Sequence, residues 1–233
     1  MDNFHYKRLP FVNIANVRDL GGYPLEEGHA TRYGMFFRSG RLFNANKSEI
    51  DYLKKLGVKS IIDLRFTNEF IEQPDSCWLD PHFTIHNISL FGEMALSQLA
   101  VQPGDMDPLA LVRLYIQIAE ECSTQVLKVI RTIANATEGA VLYHCVVGKD
   151  RTGIITMFLQ SIAGVDRMDI IAEYEVSHTF IKTFSDDQSG SHWRNMELFL
   201  EYLDTHFGSP VQYLRHIGVS ESELAEIRNR LVN

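Results

Sequence analysis

The sequence has few cysteines, no long apolar segment and no excess of positive charge. Its three cysteines, Cys77, Cys122 and Cys145, show no paired spacing, which excludes a disulfide framework and favours a reducing compartment. No apolar run reaches the about 18 residues of a membrane-spanning helix, and the first residues lack the apolar core of a signal peptide. We therefore expect a cytoplasmic protein without stable membrane insertion, and secretion is the alternative that these absences leave open.

Basic residues are also scarcer than acidic ones. The 22 lysines and arginines against 30 aspartates and glutamates give a formal net charge of −8, which argues against nucleic acid or an anionic membrane surface as the main partner. A local anion site is still compatible with this charge, because salt screens distant charges. Without repeats, low-complexity tracts or linkers, the 233 residues favour one domain over 1–233 rather than two small ones.

Strand-like and helix-like segments alternate along the chain, and this alternation predicts the fold class. The predicted strands are 35–38, 58–65, 83–88 and 140–144. The predicted helices are about 47–56, 67–73, 107–121, 152–163, 167–178, 191–206, 211–216 and 221–231, with another after Ser123. The pattern is typical of an α/β protein with a central, mainly parallel sheet of about four or five strands, flanked by helices.

One stretch, from His144 to Gly153, joins a predicted strand to a predicted helix and carries the chemistry. A strand, a tight loop and a helix in that order direct backbone N–H groups and the positive end of the helix dipole at one place, which makes an anion site. Cys145 lies at its mouth, and a thiol held there beside an arginine becomes a thiolate nucleophile. Arg151 follows after five residues and can grip a phosphoryl group through two N–H donors. The stretch predicts a cysteine-dependent phosphatase.

The remaining loop residues are predicted to bind the substrate phosphate, together with two residues from another strand. The loop residues are Val146, Val147, Gly148, Lys149 and Thr152. Asp63 and Arg65 come from the polar end of the predicted strand 58–65, at the edge where open α/β sheets bind ligands. An equally weighted alternative is that Asp63 pairs with an arginine and braces the loop.

Other anion-binding loops fit the pattern less well. A nucleotide-binding P-loop requires Ser or Thr where Asp150 stands. A sulfur-transfer enzyme also places a cysteine in an anion-binding loop, but Lys149 and Asp150 suit cleavage of a phosphate ester better. Metal catalysis has weak support, because His82 and His86 would lie about 13 Å apart in a strand. A phospho-binding module is the rival from another functional class, although binding alone needs neither a thiolate nor a proton donor.

Departure of the ester oxygen requires a proton donor, and several carboxylic acids are candidates. Asp150 lies inside the loop itself, and Asp63 lies at the end of a strand. The others are Asp80, Asp105 and Asp107, for which a solvated loop position is the default interpretation.

The motif His144-Cys145-x-x-Gly148-Lys149-Asp150-Arg151-Thr152-Gly153, with Asn16-x-Arg18-Asp19-Leu20-Gly21-Gly22 upstream, resembles the bacterial atypical tyrosine phosphatases. Similar segments at 37–42, 62–65 and 213–219 extend the resemblance over nearly the whole chain. It implies a phosphatase-like fold and a protein-tyrosine phosphatase, with dual or wider specificity in some members. It also implies Cys145 as nucleophile, Arg151 as phosphate clamp and Asp150 as the acid.

The resemblance leaves the substrate class open. Lys149 matches a position shared with phosphoinositide phosphatases, and Arg38, Arg41 or Arg65 could add positive charge for a lipid headgroup. A phosphorylated protein and a phosphoinositide are therefore the two expected substrates. Some members carry a two-helix lid, which residues 89–121 could supply. The mechanism requires no metal or organic cofactor, and the sequence predicts no oligomeric state.

Overall fold

The computed structural model describes residues 7–101, 107–181 and 192–232. The strands are β1 (Arg18–Asp19), β2 (Phe36–Ser39), β3 (Val58–Asp63), β4 (Thr84–Asn87) and β5 (Ala140–His144). The α-helices are α1 (Lys47–Lys55), α2 (Thr67–Glu72), α3 (Ala110–Glu121), α4 (Ser123–Asn135), α5 (Asp150–Ala163), α6 (Arg167–Glu175), α7 (Ser177–Ile181), α8 (Trp193–Phe207), α9 (Pro210–His216) and α10 (Glu221–Val232). Short 3-10 turns lie at Glu26–Gly28 and Leu96–Gln98.

Within the described ranges, five strands form one sheet in the order β1-β2-β5-β3-β4. β1 pairs antiparallel with β2, whereas the other neighbouring pairs are parallel. Such parallel pairs require crossover connections, which the intervening helices provide. The predicted α/β fold with a mainly parallel, helix-flanked sheet is confirmed.

Both faces of the sheet are covered by packed side chains. Successive side chains of a strand point to opposite faces, so one strand contributes to both clusters. Val141 and Tyr143 belong to the larger core cluster, with residues from α3 to α6 and from α8 to α10. Leu142 lies on the other face and packs in a smaller cluster with Ile50 and Leu53 of α1. All five residues of β5 are buried, as expected for a central parallel strand.

The carboxyl ends of four parallel strands meet at one edge of the sheet. His144, the last residue of β5, lies between Ser39 of β2 and Asp63 of β3. Asn87 of β4 lies opposite Asp63. The loop that follows His144 therefore starts where open α/β sheets bind their ligands.

Several element boundaries differ from the predicted ones. The helix predicted from residue 152 begins at Asp150, where a carboxylate is stabilised by the helix dipole. The helix predicted over 167–178 is divided into α6 and α7. The lid over 89–121 stays a prediction: α3 packs against α4 and α8, and residues 102–106 lie outside the described part. In the described segments, no helix has the combination of length and hydropathy needed to cross a bilayer.

Candidate active site

The loop from Cys145 to Lys149 is held by hydrogen bonds to its backbone carbonyls. The backbone N–H of Arg41 donates to the Val146 carbonyl (2.9 Å). The side-chain amide of Asn16 donates to the carbonyls of Val147 (3.2 Å) and Gly148 (2.8 Å), and the Arg38 guanidinium also donates to the Gly148 carbonyl (2.6 Å). In a trans peptide the next N–H points away from the carbonyl. With the carbonyls turned outward, the amides of Val147, Gly148 and Lys149 therefore face the opposite, inner side of the loop.

Two residues with a positive φ angle, one in the loop and one beside it, allow the loop to adopt this conformation. Gly148 has φ +73°, and a Cβ atom there would lie 2.4 Å from the carbonyl oxygen of Ser39, so only glycine fits. Asn16 has φ +61°, a conformation that asparagine tolerates better than most residues. Among the described residues no side chain caps α5, which starts after Lys149. Its first amides are thus available to an anion.

Cys145 differs from the other two cysteines in the charge that its surroundings favour. All three cysteines are free and buried. Burial raises the pKa of the Cys145 thiol, but the charge of Arg151 and hydrogen bonding from Thr152 outweigh it, and the net pKa is lowered. Burial instead raises the pKa of Cys77 to about 12 and also raises that of Cys122. Of the three cysteines, Cys145 is the one whose surroundings favour the thiolate.

The guanidinium of Arg151 is held from α2. Its Nη1 lies 2.7 Å from Oε2 of Glu69, and Glu69 also accepts the backbone N–H of Phe66 (2.8 Å). The rings of Phe66 and Phe91 stack with centroids 5.1 Å apart, and each lies within 6 Å of the guanidinium carbon. A carboxylate and two aromatic rings therefore restrain the predicted phosphate clamp.

Asp150, the first residue of α5, is the best placed of the predicted acids. Its side chain is 24% exposed, and Oδ2 lies 3.8 Å from Nζ of Lys149. Asp80 is instead paired with Lys54 at 2.5 Å. Two further candidates lie elsewhere: Asp107 contacts Arg113, and Asp105 lies outside the described residues.

Behind Cys145 lies a buried cluster that we call the histidine network: Asp63, Arg65, Asp75 and His144. Nε2 of His144 lies 2.9 Å from Oδ2 of Asp75, and its Nδ1 lies 3.1 Å from the carbonyl oxygen of Cys145. Arg65 donates to both oxygens of Asp63 and, at 3.1 Å, to Asp75. Asp63 and Arg65 are at most 1% exposed. Their positions favour the bracing role over direct contact with substrate.

The histidine network holds His144 as a cation. Burial lowers the pKa of His144, but Asp75 and Asp63 outweigh burial and raise it to about 9. Both ring nitrogens then donate, one to Asp75 and one to the Cys145 carbonyl. Within the described residues Asp63, Asp75 and His144 are also the group whose ligand atoms could surround a metal ion. The guanidinium of Arg65 already supplies the positive charge there.

A second buried cluster, which we call the loop brace, holds the loop from its other side. It consists of Asn16, Arg18, Arg38 and Glu173. Nε of Arg18 lies 2.5 Å from Oε1 of Glu173, and Nη1 of Arg38 lies 3.4 Å from the same oxygen. Neither arginine has any exposed surface. The Glu173 carboxylate on α6 thus orients two guanidiniums, and that of Arg38 in turn donates a hydrogen bond to the Gly148 carbonyl.

Sequence reasoning missed the partners that hold the predicted residues. Asn16 and Arg18 were visible as part of a motif, but nothing in the sequence connected the motif to the loop. Glu69 and Glu173 carry no local signal, since a glutamate within a helix usually lies on a solvated face.

The model of the "Tyrosine phosphatase family" matches residues 9–233. The chain belongs to this family. The predicted family and enzyme class, a phosphatase, are thereby confirmed.

Two sequence relatives agree with the family match. A tyrosine-protein phosphatase of Nostoc commune is 32% identical over 218 residues, which cover 84% of this chain and 74% of that protein. The triple specificity protein phosphatase PtpB of Mycobacterium tuberculosis is 24% identical over 273 residues, covering 93% and 96%. Among solved structures, P. aeruginosa TpbA has a TM-score of 0.42 and 17% identity, covering 84% of this chain and 88% of that one.

Proposed function

We propose that the protein removes phosphate from phosphotyrosine in proteins, with Cys145 as nucleophile, Arg151 as phosphate clamp and Asp150 as general acid. The amides of the loop and the N-terminal turn of α5 bind the phosphoryl oxygens, together with Thr152. Asp63 and Arg65 support the loop from behind and do not contact substrate. The chain acts as one domain over 1–233, and its three unpaired cysteines support a reducing, cytoplasmic location.

The reaction proceeds in two steps. The Cys145 thiolate attacks phosphorus, the bond from phosphorus to the ester oxygen breaks, and Asp150 gives its proton to that oxygen. Water then attacks the phosphocysteine, Asp150 takes a proton from the water, and the thiolate leaves. Arg151 and the loop amides stabilise the charge on the equatorial oxygens in both steps.

The lowered pKa of the buried Cys145 thiol is the observation that carries this proposal. A module that only binds phosphate gains nothing from a thiolate, because a negative sulfur repels the phosphate dianion. The raised pKa values of Cys77 and Cys122 indicate that burial alone does not produce this state.

A phosphoprotein is favoured over a phosphoinositide by the positions of the basic residues. The expected basic rim comprised Lys149 with Arg38, Arg41 or Arg65. Arg38 and Arg65 are buried in the two networks and Lys149 is 1% exposed, whereas Arg41 is half-buried. A multiply charged lipid headgroup would find little accessible positive charge here.

Hydrolysis of p-nitrophenyl phosphate in EDTA tests the nucleophile. We expect Cys145→Ser to lower kcat by a factor on the order of 10³ or more, and Cys122→Ser, the matched change at another buried cysteine, to leave it nearly unchanged. Activity retained in Cys145→Ser would overturn the mechanism. Phosphate release from a phosphotyrosyl peptide, a phosphothreonyl peptide and a phosphoinositide then tests the substrate class, with the phosphotyrosyl peptide expected to be the best.

A further inference from the structure

Asp150 is held by a tyrosine from a distant helix. The hydroxyl of Tyr115, on α3, donates to Oδ1 of Asp150 at 2.5 Å. Tyr115 has no exposed surface, and its ring packs edge-on against Tyr174 (centroids 6.2 Å apart) and Phe199 (5.7 Å). The hydroxyl is therefore fixed by the core of the protein rather than by the N-terminal turn of α5 that it contacts.

The direction of this hydrogen bond follows from the surroundings of the tyrosine. Burial first, and then the facing Asp150 and Tyr174, raise the pKa of Tyr115 well above its usual range, so the phenol keeps its proton. The Tyr115 and Tyr174 hydroxyl oxygens lie 2.7 Å apart. Because the single proton of Tyr115 is directed at the carboxylate, Tyr174 donates to Tyr115. The two phenols form a chain of donors that ends at Oδ1.

We propose that Tyr115 is a positioning residue that selects Oδ2 of Asp150 as the oxygen that carries the transferable proton. With Oδ1 engaged by Tyr115, a proton on the carboxylic acid resides on Oδ2. This inference rests on the proposed function, in which Asp150 is the acid. It explains how the acid at the first residue of α5 can be oriented toward the substrate, although its side chain could otherwise rotate.

The hydrogen bond acts in both chemical steps. In the first step the sulfur–phosphorus bond forms, the phosphorus–oxygen ester bond breaks, and the Oδ2 proton moves to the leaving oxygen. The carboxylate that remains is stabilised by the Tyr115 O–H group. In the second step the bond from water oxygen to phosphorus forms, the sulfur–phosphorus bond breaks, and the water proton returns to Oδ2.

Tyr115→Phe tests the inference through two substrates that differ in their need for an acid. p-Nitrophenolate leaves readily without a proton, whereas the phenolate of phenyl phosphate needs one. General acid catalysis is worth about 10²–10⁴ in rate, so loss of its positioning should cost a part of this. Hydrolysis of the phosphocysteine is common to both substrates, so the comparison uses kcat/KM, which reports the steps through release of the leaving group. We expect kcat/KM for phenyl phosphate to fall about tenfold or more, and kcat/KM for p-nitrophenyl phosphate to change about twofold or less. The ratio of kcat/KM for phenyl phosphate to kcat/KM for p-nitrophenyl phosphate should therefore fall.

Tyr213→Phe is the matched control, because it removes another buried hydroxyl bonded to the same helix. The Tyr213 hydroxyl donates to the carbonyl of Ala119 on α3 at 2.9 Å and does not contact Asp150. We expect the ratio of the two kcat/KM values to stay at its wild-type value in this variant. Tyr174→Phe, which keeps the Tyr115 hydroxyl but removes its donor, should shift the ratio in the same direction as Tyr115→Phe and by less. This variant tests the inference even where Tyr115→Phe folds poorly.

Asp150→Asn separates the inference from the function on which it rests. If Asp150→Asn lowers the ratio strongly and Tyr115→Phe lowers both kcat/KM values equally, Tyr115 is only structural and the inference fails. If Asp150→Asn leaves the ratio unchanged, the acid has been assigned wrongly and both fail. A drop in the ratio for Asp150→Asn, Tyr115→Phe and their double variant, with no further drop in the double variant, supports the inference.

Discussion

The histidine network and the loop brace support the same loop but differ in charge and in origin. With His144 protonated, the histidine network contains two cations and two carboxylates and is neutral. The loop brace contains two guanidiniums and one carboxylate and carries a net positive charge. Burial and the neighbouring Arg18 lower the pKa of Arg38 only to about 10, so Arg38 keeps its charge at neutral pH. The histidine network contacts the loop at its first residue, through the Cys145 carbonyl, whereas the brace contacts its turn at Gly148.

The histidine network and the loop brace contribute differently to the site. A neutral cluster adds little long-range field, so the histidine network mainly fixes geometry at the nucleophile. The brace leaves positive charge beneath the loop that we propose binds the phosphate dianion, and this charge also orients the loop carbonyls outward. Removing a carboxylate should therefore lower the free energy of unfolding more in the loop brace, where one carboxylate neutralises two cations, than in the histidine network.

The largest expected effect is the loss of Glu173. Glu173→Ala leaves Arg18 and Arg38 buried without a countercharge, and removal of one partner of a buried ion pair costs about 3–5 kcal/mol. Asp63→Ala is the matched variant in the other network, where Arg65 keeps Asp75, and we expect a loss of about 1–3 kcal/mol. Urea unfolding at pH 7 measures both free energies. Equal losses would mean that the charge balance of the two networks does not matter.

A smaller effect distinguishes the histidine network by its pH dependence. The pKa of folded His144 is about 9, above the value of about 6.5 in an unfolded chain. Its stabilisation is therefore complete below pH about 6.5 and is lost as the pH rises through 9. In Asp75→Asn the main partner is removed, and the wild-type decline of about 2–3 kcal/mol over this window should become much flatter.

Unfolding free energies of both proteins at several pH values between 6 and 10 provide the measurement. Burial lowers the pKa of Lys7 to about 8, so Lys7 contributes a change of opposite sign, with stability rising between pH 8 and its unfolded pKa of about 10.4. Lys7 is present in both proteins, and the difference between the two curves isolates His144. Parallel curves would contradict a cationic His144.

The parts of the site that lie within short segments of the chain could be predicted from the sequence. The alternation of strands and helices, Cys145 and Arg151 are all encoded within short segments, and the fold and family that they predicted are confirmed. Asp63 and Arg65 were found because they end a recognisable strand, and the sequence already suggested an arginine partner for Asp63.

The partners of the loop could not be found in this way, because the contacts join distant parts of the chain. Glu173 meets Arg18 across 155 positions and Asn16 meets Gly148 across 132. A buried carboxylate on a helix has the same local pattern as a solvated one until tertiary packing places a guanidinium beside it. Arg38 illustrates the converse: its charge suggested a substrate-binding rim, yet burial assigns it to the scaffold.

The smallest expected effect concerns a third, more exposed ion pair at the same site. The Arg151 side chain is 14% exposed and that of Glu69 30%, and pairs with partial solvent access contribute about 0.2–1 kcal/mol. Glu69→Ala should therefore lower kcat/KM for p-nitrophenyl phosphate only about two- to fivefold, because Arg151 loses its orientation but keeps its charge. The unfolding free energy should change by less than about 1 kcal/mol.

Glu69→Gln separates orientation from charge in that pair. The amide oxygen of glutamine can still accept from Arg151, so an orienting role predicts that Glu69→Gln keeps most of the activity that Glu69→Ala loses. If charge were the main contribution of Glu69, both variants would bind the phosphate dianion more tightly, since a negative group near it would be gone. Inhibition by inorganic phosphate distinguishes the two cases. An unchanged inhibition constant in Glu69→Gln would show that Glu69 has a scaffolding role, like Asp75 and Glu173. A lower inhibition constant would show that the charge of Glu69 weakens phosphate binding.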